Sequence, residues 1–104
     1  MRRHPRHRIE VDIVVHSPTC GRLRGHSVDL SESGLAAMLT MEAPVGELVE
    51  LEFELPGGKV RVYATVRQRT AFRYGFQFLD PGSNASIHET CRQLAIAESI
   101  SGSR

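Results

Sequence analysis

Val49-Glu50-Leu51-Glu52-Phe53-Glu54-Leu55-Pro56-Gly57-Gly58-Lys59-Val60-Arg61-Val62-Tyr63-Ala64-Thr65-Val66 alternates apolar and polar residues on both sides of a proline–glycine break. Side chains of an extended chain point alternately to opposite faces, so each half reads as a strand with one buried face. Pro56-Gly57-Gly58 between them is a hairpin signal. Working outward, Phe72, Tyr74, Phe76 and Phe78 continue the period of two. Upstream, Ile9, Val11, Ile13 and Val15 alternate with Glu10, Asp12, Val14 and His16. Weaker strands are expected over 21–28 and 34–39. Six short strands in tight succession predict a mainly β fold, a small six-stranded antiparallel barrel or sandwich. Closure would remove the exposed edges that such β-branched sequence otherwise presents.

The pattern changes after Asp80-Pro81-Gly82. Ser83, or Ser86 with Glu89 three residues on, resembles a helix N-cap. Ile87, Cys91, Leu94 and Ala95 then share one helical face. A single C-terminal helix is predicted over about residues 84–98, packed on the barrel or plugging one end.

At 104 residues, with 40% hydrophobic and 24% charged residues, the chain has the size and composition of one ordinary globular domain, 1–104. No apolar run is long enough to span a bilayer and no secretory pattern opens the chain, so a cytoplasmic location is expected. Two cysteines, Cys20 and Cys91, are expected to be reduced, with Cys91 in the core. His16, Cys20 and His26 match no zinc spacing, so no metal is expected. No nucleophile elbow or phosphate loop is present, so an enzyme is not expected.

The net charge of +1 conceals an uneven distribution. The arm, residues 1–8, carries Arg2, Arg3, Arg6 and Arg8 with no acid; the rest of the chain is mildly acidic. Every basic residue but Lys59 is arginine, the side chain suited to planar, bidentate recognition of phosphates and guanine edges. Pro5 prevents a continuous helix, so Arg2 and Arg6 are expected as separate prongs of an extended arm that stays mobile until a ligand orders it. Downstream, Asp29-Leu30-Ser31-Glu32-Ser33-Gly34 joins two of the expected strands. Asp29 can accept from the N1–H and N2–H₂ edge of guanine, Ser31 can bond a phosphate or a base, and Gly34 permits a turn or close approach. Taken singly, a basic arm is also a solvated tail, and Asp, Ser and Gly are ordinary turn residues.

Taken together, Arg2-x-x-x-Arg6, Asp29-x-Ser31-x-x-Gly34, the alternating strands and Tyr74-Gly75-Phe76-Gln77-Phe78 resemble a PilZ domain over roughly residues 2–98. The resemblance implies a six-stranded barrel with its arm at 1–8, its barrel at 9–80 and a C-terminal helix. It implies a bacterial second-messenger receptor whose ligand is cyclic di-GMP, with no other cofactor. By the same resemblance Arg2 and Arg6 would bind phosphates and guanine faces, and Asp29, Ser31 and Gly34 a guanine. Arg3 would join them, and Arg67 would stand where some relatives place a stacking residue. Only Met1 precedes the first arginine, so the segment that helps related proteins choose between one nucleotide and a stacked pair is expected to be missing. Ligand would order the arm and create a face for a downstream protein partner, with the chain a monomer or homodimer. The alternative is a nucleotide-independent protein–protein adaptor on the same fold. A nucleic-acid-binding barrel is disfavoured by the acidic body and the lack of clustered exposed aromatics. Membrane association is not expected.

Overall fold

The computed structural model describes residues 4–102. The strands are β1 (His7–Arg8), β2 (Asp12–Ser17), β3 (Gly21–Leu30), β4 (Gly34–Leu39), β5 (Leu48–Leu55), β6 (Gly58–Thr70) and β7 (Arg73–Phe78), followed by one helix, α1 (Ala85–Gly102). All pairings are antiparallel. The order β3-β2-β5-β6-β7-β4 closes on itself through a β3–β4 ladder, giving a six-stranded barrel. The β5–β6 hairpin turns at Pro56-Gly57, with Leu55 opposite Gly58. Its apolar faces run inward: Val49, Leu51 and Phe53 meet Val60, Ala64 and Val66 in the core. Ile13, Leu35, Tyr74 and Phe76 fill the interior from the other strands.

Three sequence expectations shift. The strand expected from Ile9 begins at Asp12, and the arm contributes a strand of its own: His7 pairs with Leu30 and Arg8 with Asp29. Ser27, fully buried, bridges the interruption between β1 and β2. Its hydroxyl accepts from the Val11 amide at 2.9 Å and donates to the Ile9 carbonyl at 2.5 Å. Phe72 lies in the β6–β7 turn and is exposed, because the two-residue connection Ala71-Phe72 breaks the alternation before β7. The helix is capped by Asn84, not by Ser83 or Ser86. The Asn84 Oδ1 accepts from the Ile87 amide at 3.0 Å, satisfying one of the free amides of the first turn. Ser83 and Ser86 instead donate to the carbonyls of Asp80 and Gly57.

The first half of α1 buries Ile87, Thr90 and Cys91 against the barrel, while Ala95 is exposed. Its later turns project, with Ile96 and Ile100 exposed. Glu98 reaches back to the arm, where its carboxylate lies 3.0 Å from Nδ1 of the buried His7.

Two β-bulges position the site. On β3, Leu23 and Ser27 point inward, and unbroken alternation would carry Asp29 inward as well. The register shifts by one residue at Val28, so Leu30 enters the core and Asp29 turns out. On β6 the register shifts likewise at Arg67, and Gln68 comes to pair with outward-facing Gly75 instead of following Val66 into the core.

Candidate functional site

The ladders set one row of outward-facing residues across four strands: Asp29, Ala36, Gly75 and Gln68. Ala36 and Gly75 in the middle carry almost no side chain, so the sheet surface dips there. Arg6 and Asp29 form one wall of this trough; Arg67, Gln68 and Arg69 form the other, and Arg73 closes one end. Two adjoining hollows of about 180 Å³ and about 260 Å³ share Arg6, Gln68 and Gly75.

Asp29 is the electrostatic centre. Arg6 Nη1 donates to its Oδ1 at 2.5 Å, and Arg73 Nη2 donates to its Oδ2 at 3.4 Å. The carboxylate keeps 18% of its exposure, against 28% for Arg6 and 51% for Arg73. Partly exposed pairs of this kind contribute about 0–1 kcal/mol each to stability. What they do secure is position: one arginine from the arm and one from the β6–β7 hairpin are held over the same trough.

The remaining motif residues are placed differently. Ser31 is wholly buried. Its hydroxyl accepts from the amides of Ser33 and Gly34, each at 3.2 Å, and lies 3.1 Å from the Ser33 hydroxyl, while its own amide donates to the Gly34 carbonyl at 2.8 Å. It holds the β3–β4 turn together and presents no free group to the trough. Gly34 is needed for space: a Cβ there would stand 2.3 Å from the Phe76 carbonyl oxygen on β7. Arg67, exposed at its bulge, lines the second hollow beside Gly34 and Gln77. Arg2 and Arg3 lie outside the described residues. The structure thus brings Arg6, Asp29, Gly34 and Arg67 to one trough and sets Ser31 beneath it.

Arg69, Arg73, Gln68 and Gly75 complete the trough, and only Gly75 stands in a quoted motif. The common face of Gln68, Gly75 and Arg73 follows from the bulge at Arg67 and from the Gly75–Gln68 register, while Arg69 pairs with inward-facing Tyr74 and reaches the trough only from its edge. A basic residue two places before Gly75 was the one available signal. Glu32, inside the second motif, turns away to meet His88 Nδ1 on α1 at 3.0 Å. There it borders a more apolar cavity of about 400 Å³ walled by Val62, Phe78 and Ile87. That cavity's one arginine, Arg61, already faces Glu50 and Glu52 at 3.7 and 3.6 Å. In the trough, Arg67 has no acidic partner among the described residues, whereas Arg61 has two. Among the described residues no three His, Cys, Asp or Glu side chains converge as a metal site, and no helix is long and apolar enough to cross a membrane.

A closed six-stranded barrel carrying an arginine-flanked trough on its wall is a scaffold with an anion-facing surface. The PilZ domain model matches residues 1–95, and the chain belongs to the PilZ domain family. Solved structures are similar in fold. The Bacillus subtilis inhibitor of motility (MotI/DgrA) aligns with a TM-score of 0.78 at 16% identity, covering 100% of this chain and 54% of that one. The chain thus spans about half the length of that protein. The PilZ domain of YcgR from Escherichia coli, solved with c-di-GMP, gives 0.71 at 19% identity, covering 96% of this chain and 93% of that one. The PilZ domain of CeSA from a cellulose-synthesizing bacterium gives 0.65 at 16% identity, covering 91% and 98%. At these identities the likeness speaks for the fold alone. No curated protein matches the chain.

Proposed function

We propose that this protein is a cytoplasmic receptor that binds cyclic di-GMP in the trough between its arm and the β6–β7 hairpin, and that it acts through a protein partner. The observation that carries the reading is the 2.5 Å contact of Arg6 with Asp29, which joins the two motifs across 23 residues of sequence at one point. A cyclic dinucleotide offers two phosphates and two guanines. Arg6 supplies a fork for phosphate or for guanine O6 and N7, and Asp29 accepts the guanine N1–H and N2–H₂ pair. Ser31 and Gly34 serve the same site from below, by fixing the turn that carries Asp29. Arg67 flanks the opposite wall. Arg2 and Arg3, which precede His4-Pro5-Arg6 in the sequence, are assigned to the same ligand by the motif alone.

Seating a base on Asp29 displaces Arg6 and moves the arm. His7 adjoins Arg6 and contacts Glu98 on α1, so the movement reaches the helix and its exposed apolar turns, which form the face offered to a partner. Calorimetric titration with cyclic di-GMP tests the reading. Binding by the wild type with loss of about tenfold or more for Arg6→Ala supports it, since a hydrogen bond to a charged group contributes about 1.5–3 kcal/mol. Absence of heat at high micromolar nucleotide removes it. A second reading, a nucleotide-independent adaptor, draws support from the pairing of both Asp29 oxygens with arginines of the chain itself. Partner capture unaffected both by nucleotide and by Arg6→Ala would favour it.

A further inference from the structure

We propose that Arg73 is a nucleotide-binding residue, the second prong of a clamp whose first prong is Arg6. The inference rests on the reading of the trough as a cyclic di-GMP site and adds to it a residue outside both motifs.

A guanine edge presents two donors side by side and requires both oxygens of a carboxylate at once. In this structure Asp29 spends one oxygen on Arg6 and the other on Arg73. Seating guanine on Asp29 therefore competes with two guanidinium groups, not one. Arg73 is the more loosely held of the two, by a single contact at 3.4 Å with a side chain 51% exposed, and Asp29 is its one side-chain partner among the described residues. Its neighbour on the hairpin, Arg69, is already committed. Arg69 Nε donates to the Ala71 carbonyl and Nη2 to Glu42, each at 2.8 Å, and its guanidinium lies 5.8 Å from the Tyr74 ring centroid. Arg73 alone of this pair can turn to a new acceptor.

Space for that acceptor lies beside it. Gly75, two residues on and on the same face, lines the hollow with the Gln68 side chain packed against it, and Ala36 extends the opening toward Asp29. A released Arg73 fork meets the O6/N7 edge or a phosphate of the base seated on Asp29, from the side opposite Arg6. Exchange of one anionic partner for another keeps the arginines near the site before the ligand arrives, which limits the ordering cost of binding. The same exchange selects for guanine, because the adenine edge lacks the donor pair that displaces both forks.

The test is calorimetric titration of the full chain with cyclic di-GMP, and separately with cyclic di-AMP, for the wild type, Arg73→Ala, Arg73→Lys and Arg22→Ala. Arg22 removes the same charge at the far end of β3. The expected result is a loss of about tenfold or more for Arg73→Ala and a loss of about threefold or more for Arg73→Lys, which keeps the charge but not the fork. Arg22→Ala is expected to stay within about twofold of the wild type, and the melting temperature of Arg73→Ala within about 2 °C, as for an exposed side chain away from the core. Wild-type and Arg73→Ala proteins that bind cyclic di-GMP equally well overturn this inference and leave the nucleotide site standing. A wild type that binds no cyclic di-GMP overturns both.

Discussion

Replacing Gly34 by alanine separates what the second motif does for the barrel from what it does for a ligand. Gly34 lies opposite Gln77 where β4 joins β7, and its φ is not left-handed, so the obstacle is space alone. The added Cβ would sit 2.3 Å from the Phe76 carbonyl oxygen, while separations under 3.0 Å are essentially never seen. The strands must part by at least 0.7 Å along that line, the difference of those two distances. The adjacent bond from the Phe78 amide to the Ser33 carbonyl, now 2.9 Å, would lengthen toward 3.6 Å and cease to be a hydrogen bond. Forcing a methyl into a packed ladder costs about 1–3 kcal/mol and the lost bond about 0.5–1.5 kcal/mol. The stiffer unfolded chain returns about 0.4–1 kcal/mol. A net loss of about 2 kcal/mol lowers the melting temperature of a domain of this size by about 8–16 °C. Urea denaturation measures it directly as a lower midpoint at unchanged slope. The loss should appear in full without nucleotide. An alanine variant as stable as the wild type would refute the steric argument and return Gly34 to a role in ligand approach.

Three further outcomes follow from local chemistry. Ala71 holds a left-handed φ of 55°, so Ala71→Gly should raise stability by about 0.5 kcal/mol in the same urea experiment, the relief of strain exceeding the entropy cost of glycine. Burial, and then the charge of Glu32, push the Cys91 thiol up to about 11, whereas Cys20 is exposed. A thiol-reactive dye at pH 8 should therefore label one cysteine per native chain and the second only in denaturant. The hydroxyls of Ser17 and then Thr19 hold Glu47 below its ordinary value. A depressed carboxyl contributes stability that is complete above the unfolded value and is lost as pH falls through the folded one, so Glu47→Gln should flatten the acid limb of a stability–pH profile.

The strands around the β5–β6 hairpin were legible because each has one face in the core and the period of two survives in the sequence, whereas Gly34–Leu39 is buried almost throughout and shows no such alternation. Leu48–Leu55 and Gly58–Thr70 contain the segments whose alternation predicts them. The site was legible only by residue type. Asp29 and Arg6 carry the right chemistry, but their meeting depends on the bulge at Val28, and a one-residue register slip leaves no mark in composition. Without that bulge, Asp29 would face the core and Leu30 the solvent. Arg73 escaped notice for the same reason: its relation to Asp29 is a cross-strand distance, not a spacing. Ser31 is ambiguous by residue type, since a serine in a turn satisfies backbone amides as readily as it meets a ligand. Asn84, Ser83 and Ser86 are all good capping residues by type, and only the hydrogen bond distinguishes them.

The dip between Ala36 and Gly75 has a bearing on how this molecule can diverge. Each outward residue there is flanked along its strand by an inward one, Leu35 and Ala37 around Ala36, Tyr74 and Phe76 around Gly75. Recognition and cohesion are thus interleaved on the same two ribbons yet assigned to opposite sides of the wall. Under the proposed function, substitution of the arginines along the rim would alter binding while the hydrophobic interior stays as it is.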